Sequence, residues 1–281
     1  MSVQRLPTPN VVDPSTPLGA LLEELEPKPE VSADREDKHA YAMALSRKLA
    51  VFMARSLRPV FPHVLPTEDE IGHESLVGSA EGKKRLDVKV WDELLGLLLL
   101  VSLKTYSFQD WSTKAHKAGR FSKNIQRNGK ELKDEADVIH RRQPYSVIVA
   151  IMFIPDSACL DGNPESTSDV QGPSSFASIV RRLRVRTGRA LNPDEKRFDR
   201  YDLTEQLYIG LYRYDGPARG ALQFFDVMQD PPRNGMPAQS TTLSLSELVA
   251  EIKKLVDERN STGIEWATLT EEIADVEESD G

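Results

Sequence analysis

The chain has 281 residues, of which 39% are hydrophobic and 28% charged, a composition typical of a globular protein that buries its core without disulfide bonds. Cys159 is the only cysteine, which excludes a disulfide scaffold and CxxC metal or redox motifs. The longest apolar run, Leu94–Leu103, is far shorter than the roughly 20 residues that span a membrane. Residues 1–14 lack the apolar stretch of a signal peptide. We therefore expect a soluble cytoplasmic protein with no membrane partner.

The net charge of −8 is unevenly distributed along the chain. Residues 1–40 carry −4 and residues 247–281 carry −8, which leaves +4 on residues 41–246. Within that middle part, residues 112–142 hold nine Lys or Arg against four Asp or Glu, and residues 181–189 hold five arginines and no acid. Clustered positive charge is what a phosphate backbone attracts. The clusters indicate a nucleic-acid partner, with solvated helix faces as the alternative.

Composition predicts an ordered middle between two irregular ends. Residues 1–37 contain six prolines and many acids, which predicts a disordered arm, although Leu18–Leu25 has the spacing of a short amphipathic helix. The folded domain is predicted for residues 38–269, with a long flexible loop at 155–175 that is rich in Ser, Pro, Gly and Asp. Residues 270–281 are predicted to be an acidic disordered tail.

The hydrophobic pattern of the middle part predicts an α/β fold. Arg85–Asp92 alternates apolar and polar residues, as a half-buried strand does. Leu97–Thr105 is a continuous apolar run that predicts a strand buried on both faces, with a buried helix as the alternative because leucine favours helix. The other predicted elements are helices from Tyr41 to before Pro59, over Lys130–Arg142, over Phe176–Thr187 and after a capping box at Ser244 and Glu247, and strands at Tyr145–Ile154, Gln206–Tyr214 and Ala221–Val227. Their order predicts one mixed sheet with helices on both faces.

Three polar residues lie on the first two predicted strands of this sheet. A hairpin between the strands would bring Asp87 beside Ser102 and Lys104, and strand alternation points the last two to one face. An aspartate and a lysine among apolar neighbours are costly unless they bind a charged ligand. A magnesium ion with a phosphodiester would meet that need, and manganese would substitute. Asp87 would ligate the metal, the Leu103 carbonyl would supply a second oxygen, and Lys104 would position or deprotonate the attacking water.

This arrangement resembles the PD-(D/E)XK nuclease superfamily, which has the restriction-endonuclease-like fold. The resemblance rests on Asp87, fourteen intervening residues and then Ser102-Leu103-Lys104, where the family carries Asp…(Asp/Glu)-X-Lys. It extends over roughly residues 40–155. It implies a mixed central sheet flanked by helices and a divalent metal at the hairpin.

The sequence departs from the family pattern at Ser102, which stands where the family usually has a carboxylate. Serine can donate or accept a hydrogen bond but brings no negative charge, so the metal site needs another acid. Many members draw that acid from the element before the hairpin. Glu74 is the candidate here, with Glu68 and Glu70 behind it.

The resemblance implies a magnesium-dependent DNA endonuclease of restriction or phage defence, which hydrolyses phosphodiester bonds to leave 5′-phosphate and 3′-hydroxyl ends. A homodimer or a larger defence complex is compatible with it. Two other interpretations stay open: a non-catalytic DNA-binding subunit with a degenerate nuclease fold, and an α/β scaffold in which Asp87 and Lys104 form an ordinary ion pair. The predicted DNA-binding residues are Lys114, Lys117, Arg120, Lys123, Arg127, Arg181, Arg182 and Arg184.

Overall fold

A computed structural model describes residues 17–25, 27–72, 75–79, 82–114, 116–121, 124–162 and 172–261. The helices in these ranges are α1 (Pro17–Glu24), α2 (Arg35–Leu57), α3 (Ile125–Arg142), α4 (Ser175–Leu183) and α5 (Leu245–Ser261). The strands are β1 (Val64–Leu65), β2 (Ser75–Ser79), β3 (Gly82–Leu86), β4 (Val88–Asp92), β5 (Gly96–Thr105), β6 (Trp111–Ser112), β7 (Lys117–Ala118), β8 (Val147–Pro155), β9 (Gln206–Tyr212) and β10 (Leu222–Asp226). None of these helices combines the length and the apolar character that crossing a membrane requires.

A six-stranded mixed sheet forms the centre of the described structure, in the order β1-β4-β5-β8-β9-β10. The three central strands β5, β8 and β9 run parallel, and their outer neighbours β4 and β10 run antiparallel to them. Helix α3 makes the crossover from β5 to β8, as a parallel pair requires. Two small hairpins, β2–β3 and β6–β7, lie outside this sheet.

Helices cover both faces of the sheet. Val149 and Ile151 of β8 pack with α1, α2 and α5, while Ala150 and Met152 pack with α3 and α4. Every residue of β8 is buried, because successive side chains of a strand point to opposite faces and both faces are covered. The predicted class, an α/β fold with a mixed sheet flanked by helices, is therefore confirmed.

The apolar run that could have been a helix is strand β5. Its ten residues pair with β4 over residues 96–101 and with β8 over residues 99–105. The strand prevails over the helical propensity of leucine because both neighbouring strands supply hydrogen-bond partners along its length. The predicted strand over residues 85–92 is divided by a bend at Asp87 into the end of β3 and the whole of β4. The other predicted helices and strands also form, and the capping box is present: the Ser244 N–H donates to the Glu247 carboxylate at 2.7 Å.

The described part of the predicted arm contains helix α1, where the spacing of residues 18–25 predicted a short amphipathic helix. Leu18, Leu21 and Leu22 of α1 are buried in the same core as the apolar residues of α2. Helix α2 itself begins at Arg35, with Asp34 as its N-cap. The fold therefore begins by Pro17, and not near Lys38. The prolines and acids of residues 1–37 favoured disorder in the prediction. The packing of α1 depends instead on three leucines at helical spacing, which are buried in the core.

Shortening the Leu22 side chain tests this boundary. Leu22 is completely buried, so Leu22→Ala should lower the free energy of unfolding by about 2–3 kcal/mol through lost burial and an unfilled cavity. The matched control is Leu160→Ala, because Leu160 is 66% exposed and its loss should matter little. Urea unfolding of both variants measures the difference. Equal midpoints would mean that α1 contributes nothing to stability.

The predicted flexible loop at 155–175 is ordered at both ends. Asp156–Cys159 forms a 3₁₀ turn with Cys159 buried, and α4 begins at Ser175. Asp161 joins the two ends, because its carboxylate accepts hydrogen bonds from the backbone N–H and the hydroxyl of Ser175. Residues 163–171 and the predicted acidic tail at 270–281 lie outside the described residues.

Candidate active site

Asp87 lies at the bend between β3 and β4, beside strand β5. Its carboxylate oxygen Oδ2 accepts a hydrogen bond from the backbone N–H of Leu103 at 2.7 Å. Val88 pairs with Val101 in the antiparallel register, so Asp87 comes next to the Ser102–Leu103 segment. The hairpin thus brings Asp87 to the Ser-X-Lys sequence as predicted. The side chain of Leu103 points the other way, into the core under α2.

Ser102 and Lys104 point to the same face of β5, where they meet Glu135 of helix α3. The Ser102 hydroxyl donates to Glu135 Oε2 at 2.5 Å, and Lys104 Nζ donates to Glu135 Oε1 at 2.7 Å. One carboxylate therefore bonds both polar residues of the strand. The helix supplies, from 31 residues beyond Lys104, the negative charge that Ser102 does not provide.

The Lys104–Glu135 ion pair is largely shielded from water. The side chains are 15% and 13% exposed. Burial acts to lower the pKa of Lys104, but the charges of Glu135 and Asp87 outweigh it and raise the pKa above its ordinary value. Lys104 is therefore an ammonium group at neutral pH, held between two carboxylates.

Glu135 was not among the residues that the sequence singled out, although the helix that carries it was predicted. Leu132 and Ile139, three residues before and four residues after Glu135, are buried against the sheet. Residues at these spacings share one face of a helix, so Glu135 is an acid beside the buried stripe. A carboxylate in that position is costly without a partner, and this was the available signal.

Of the acids predicted to complete the site, the structure describes Glu68 and Glu70. Glu68 forms ion pairs with Arg55 of α2 and with Arg58, the residue that follows this helix. Glu70 lies in a turn with φ 61°, and no described contact joins it to the Ser-X-Lys segment. Glu74 lies outside the described residues. The prediction that the extra acid comes from Glu68 or Glu70 is not supported, because α3 brings Glu135 to the site instead.

Asp87 and Glu135 are suitable ligands for a magnesium ion. Magnesium is usually held by one or two carboxylates together with waters and substrate phosphates. Glu135 bonds the Lys104 ammonium, and the charges of both carboxylates act to raise the pKa of Lys104. Among the described residues, no group of three or more His, Cys, Asp or Glu is arranged to hold a metal by itself.

The predicted DNA-binding residues divide into two groups. Arg120 donates to the backbone carbonyls of Asp161, Gly172 and Pro173, and Arg184 donates to those of Val227 and Gln229. These two guanidinium groups hold loops, and their predicted role in DNA binding stays a prediction. Lys123 lies outside the described residues. The remaining five are exposed, and Arg127 pairs with Glu131: Lys114, Lys117, Arg127, Arg181 and Arg182.

Comparison with known proteins gives no relative from which the role of this site could be transferred. No protein-family model, no curated protein and no solved structure matches the chain. The functional argument therefore depends on the geometry of the site itself.

Proposed function

We propose that the chain is a magnesium-dependent DNA endonuclease with a PD-(D/E)XK-type active site. One observation carries the proposal: Ser102 and Lys104 both bond the Glu135 carboxylate, beside Asp87. This arrangement supplies two carboxylates and one ammonium at a single point of the sheet. In this proposal Glu135 of α3 takes the part of the carboxylate that the family usually carries at the position of Ser102.

Each residue of the site has a distinct part in this proposal. Asp87 and Glu135 would hold a magnesium ion, which supplies positive charge against the reacting phosphate. The Lys104 ammonium would donate to a phosphate oxygen or to the attacking water once the substrate has entered. Ser102 would orient Glu135 through the hydrogen bond that it already makes. Water would attack phosphorus in line as the bond from phosphorus to the 3′-oxygen breaks. The proton of the attacking water would pass to a phosphate oxygen, and solvent water would protonate the leaving 3′-oxygen, because Lys104 is already an ammonium group.

The biological setting follows from the resemblance and stays part of the proposal. A nuclease of restriction or phage defence, working in the cytoplasm as a homodimer or within a larger complex, would cut selected DNA. The strongly acidic ends would weaken indiscriminate binding to nucleic acid.

A plasmid cleavage assay with purified protein tests the proposal. Supercoiled DNA should be nicked or linearised with magnesium or manganese and stay intact with EDTA. Salt-dependent DNA binding without cleavage under any metal would instead support a non-catalytic DNA-binding subunit. Absence of both binding and cleavage would support the scaffold interpretation, in which the ion pair only holds α3 on the sheet.

A further inference from the structure

The segment between Lys104 and Glu135 contains a basic hairpin, residues 110–120, that the proposed chemistry does not use. Residues 111–130 hold six Lys or Arg and no Asp or Glu. Strands β6 and β7 pair through Trp111 with Ala118 and through Ser112 with Lys117. Because the segment joins β5 to α3, it directly connects the two elements that build the site.

The base of the basic hairpin is fixed to the domain. The N–H of Asp110 donates to the Arg120 carbonyl at 2.9 Å, which closes the hairpin. The Arg120 guanidinium binds three backbone carbonyls of the loop ends before α4. Phe121 is 3% exposed, and its N–H donates to Ser175 Oγ at 3.0 Å. The hairpin is therefore anchored at its base.

The tip of the basic hairpin carries two lysines that form no ion pair in the described structure. Lys114, His116 and Lys117 are exposed. Neither Lys114 nor Lys117 forms an ion pair within the described ranges, whereas the exposed lysines of α5, Lys253 and Lys254, pair with acids one turn away. Because the base of the hairpin is anchored and the lysines at its tip form no ion pair, the tip is suited to bind an anionic partner.

We propose that the basic hairpin docks in the major groove of duplex DNA and positions the duplex for the site. The major groove of B-DNA admits a two-stranded ribbon, whereas the major groove of A-form RNA is too narrow and deep. Because the hairpin lies in the segment that joins β5 to α3, DNA bound there would lie beside the two elements that carry the site. This assignment rests on the proposed function for its substrate.

Binding measurements on charge-matched variants test the proposal. The variant Lys114→Ala with Lys117→Ala is compared with Lys253→Ala with Lys254→Ala, which removes the same charge from α5. Affinity for a 20-base-pair duplex is measured by fluorescence anisotropy in EDTA over a range of salt concentrations. The hairpin variant should bind at least tenfold more weakly, and its log–log salt slope should fall by about 1.8, that is, about 0.9 for each of two lost phosphate contacts. The control should keep the wild-type slope.

Two results would overturn the proposal: an unchanged slope in the hairpin variant, or wild-type protein that binds single-stranded DNA or duplex RNA as tightly as duplex DNA. Binding in EDTA does not depend on catalysis, so the outcomes separate. A lowered slope with no cleavage by the wild type would support the hairpin and reject the nuclease. An unchanged slope with normal cleavage would reject the docking role of the hairpin and support the nuclease.

Discussion

Glu135→Gln is expected to abolish metal-dependent DNA cleavage while the protein stays folded. Glutamine keeps the shape of the side chain and can still accept from Ser102, but it removes one of the two negative charges of the site. Loss of a preorganised charge typically costs roughly 10²–10³ in rate, or about 2.7–4 kcal/mol. Asp87→Asn should have the same effect. Lys104→Ala should lose cleavage and keep DNA binding.

A matched control distinguishes the site from the helix that carries it. Asp137 lies on α3 two residues after Glu135 and pairs with Arg141 on the surface. Asp137→Asn should therefore cut DNA at the wild-type rate. Melting temperatures of all variants show whether activity is lost through chemistry or through unfolding. Folded Glu135→Gln protein that cuts at the normal rate would remove Glu135 from the active site.

A double variant that moves the carboxylate from Glu135 of α3 to position 102 of β5 distinguishes a metal-binding acid from a structural ion pair. Ser102 and Glu135 are in direct hydrogen-bond contact, so the double variant Ser102→Glu with Glu135→Gln returns the acid to the position where the resemblance expects it. Cleavage should recover in the double variant relative to Glu135→Gln alone. A purely structural ion pair predicts no recovery of cleavage, and predicts instead that each single change lowers the melting temperature.

The sequence allowed the fold to be predicted because the signals for the strands are local. The alternation around Asp87 and the apolar run of β5 together predicted the hairpin and the shared face of Ser102 and Lys104. Glu135 was not predicted because its contact with the strand depends on how α3 crosses the sheet, which no local pattern specifies. The expected acids lay before the hairpin, where Glu68 is already bound by two arginines.

Basic residues were the least reliable part of the sequence interpretation. A charge count treats every arginine alike, but a guanidinium has five donors and can satisfy several carbonyls at once. Arg120 and Arg184 use this capacity to hold loops. Arg181 and Arg182, which lie in the same arginine-rich segment as Arg184, are exposed. Only the three-dimensional position of nearby backbone carbonyls separates the two roles.

Glu205→Gln is expected to cause the largest loss of stability. Glu205 is buried at the start of β9 and bonds Arg189 at 2.7 Å and Arg259 of α5 at 2.8 Å, and both guanidinium groups are themselves buried. Removing its charge leaves two buried cations without their counter-ion. Breaking a buried ion pair in this way typically costs about 3–5 kcal/mol, a large share of the 5–15 kcal/mol that stabilises a domain.

The same carboxylate gives the stability a defined dependence on pH. Burial acts to raise the pKa of Glu205, but the charges of His140, Arg259 and Arg189 outweigh it, so the pKa is lowered from its ordinary value of 4.5. A carboxyl group whose pKa is lower in the folded state stabilises the fold above its unfolded pKa, and this contribution is lost as the pH falls through the folded pKa. The wild type should therefore lose stability below about pH 4.5.

Urea unfolding of the wild type and Glu205→Gln between pH 3 and pH 7 measures both effects. The two proteins should differ most at pH 7 and converge in acid, because protonated Glu205 and glutamine are both neutral. Glu195→Gln is the control, since Glu195 is an exposed acid near the same cluster and should change the free energy of unfolding by less than about 0.5 kcal/mol. If Glu205→Gln fails to fold at pH 7, Arg259→Met is measured instead, because it breaks the same ion pair from the side of α5. Its free energy of unfolding should fall by less, because Arg189 still balances the charge of Glu205. A constant difference between wild type and Glu205→Gln across the pH range would mean that packing, and not charge, makes Glu205 important.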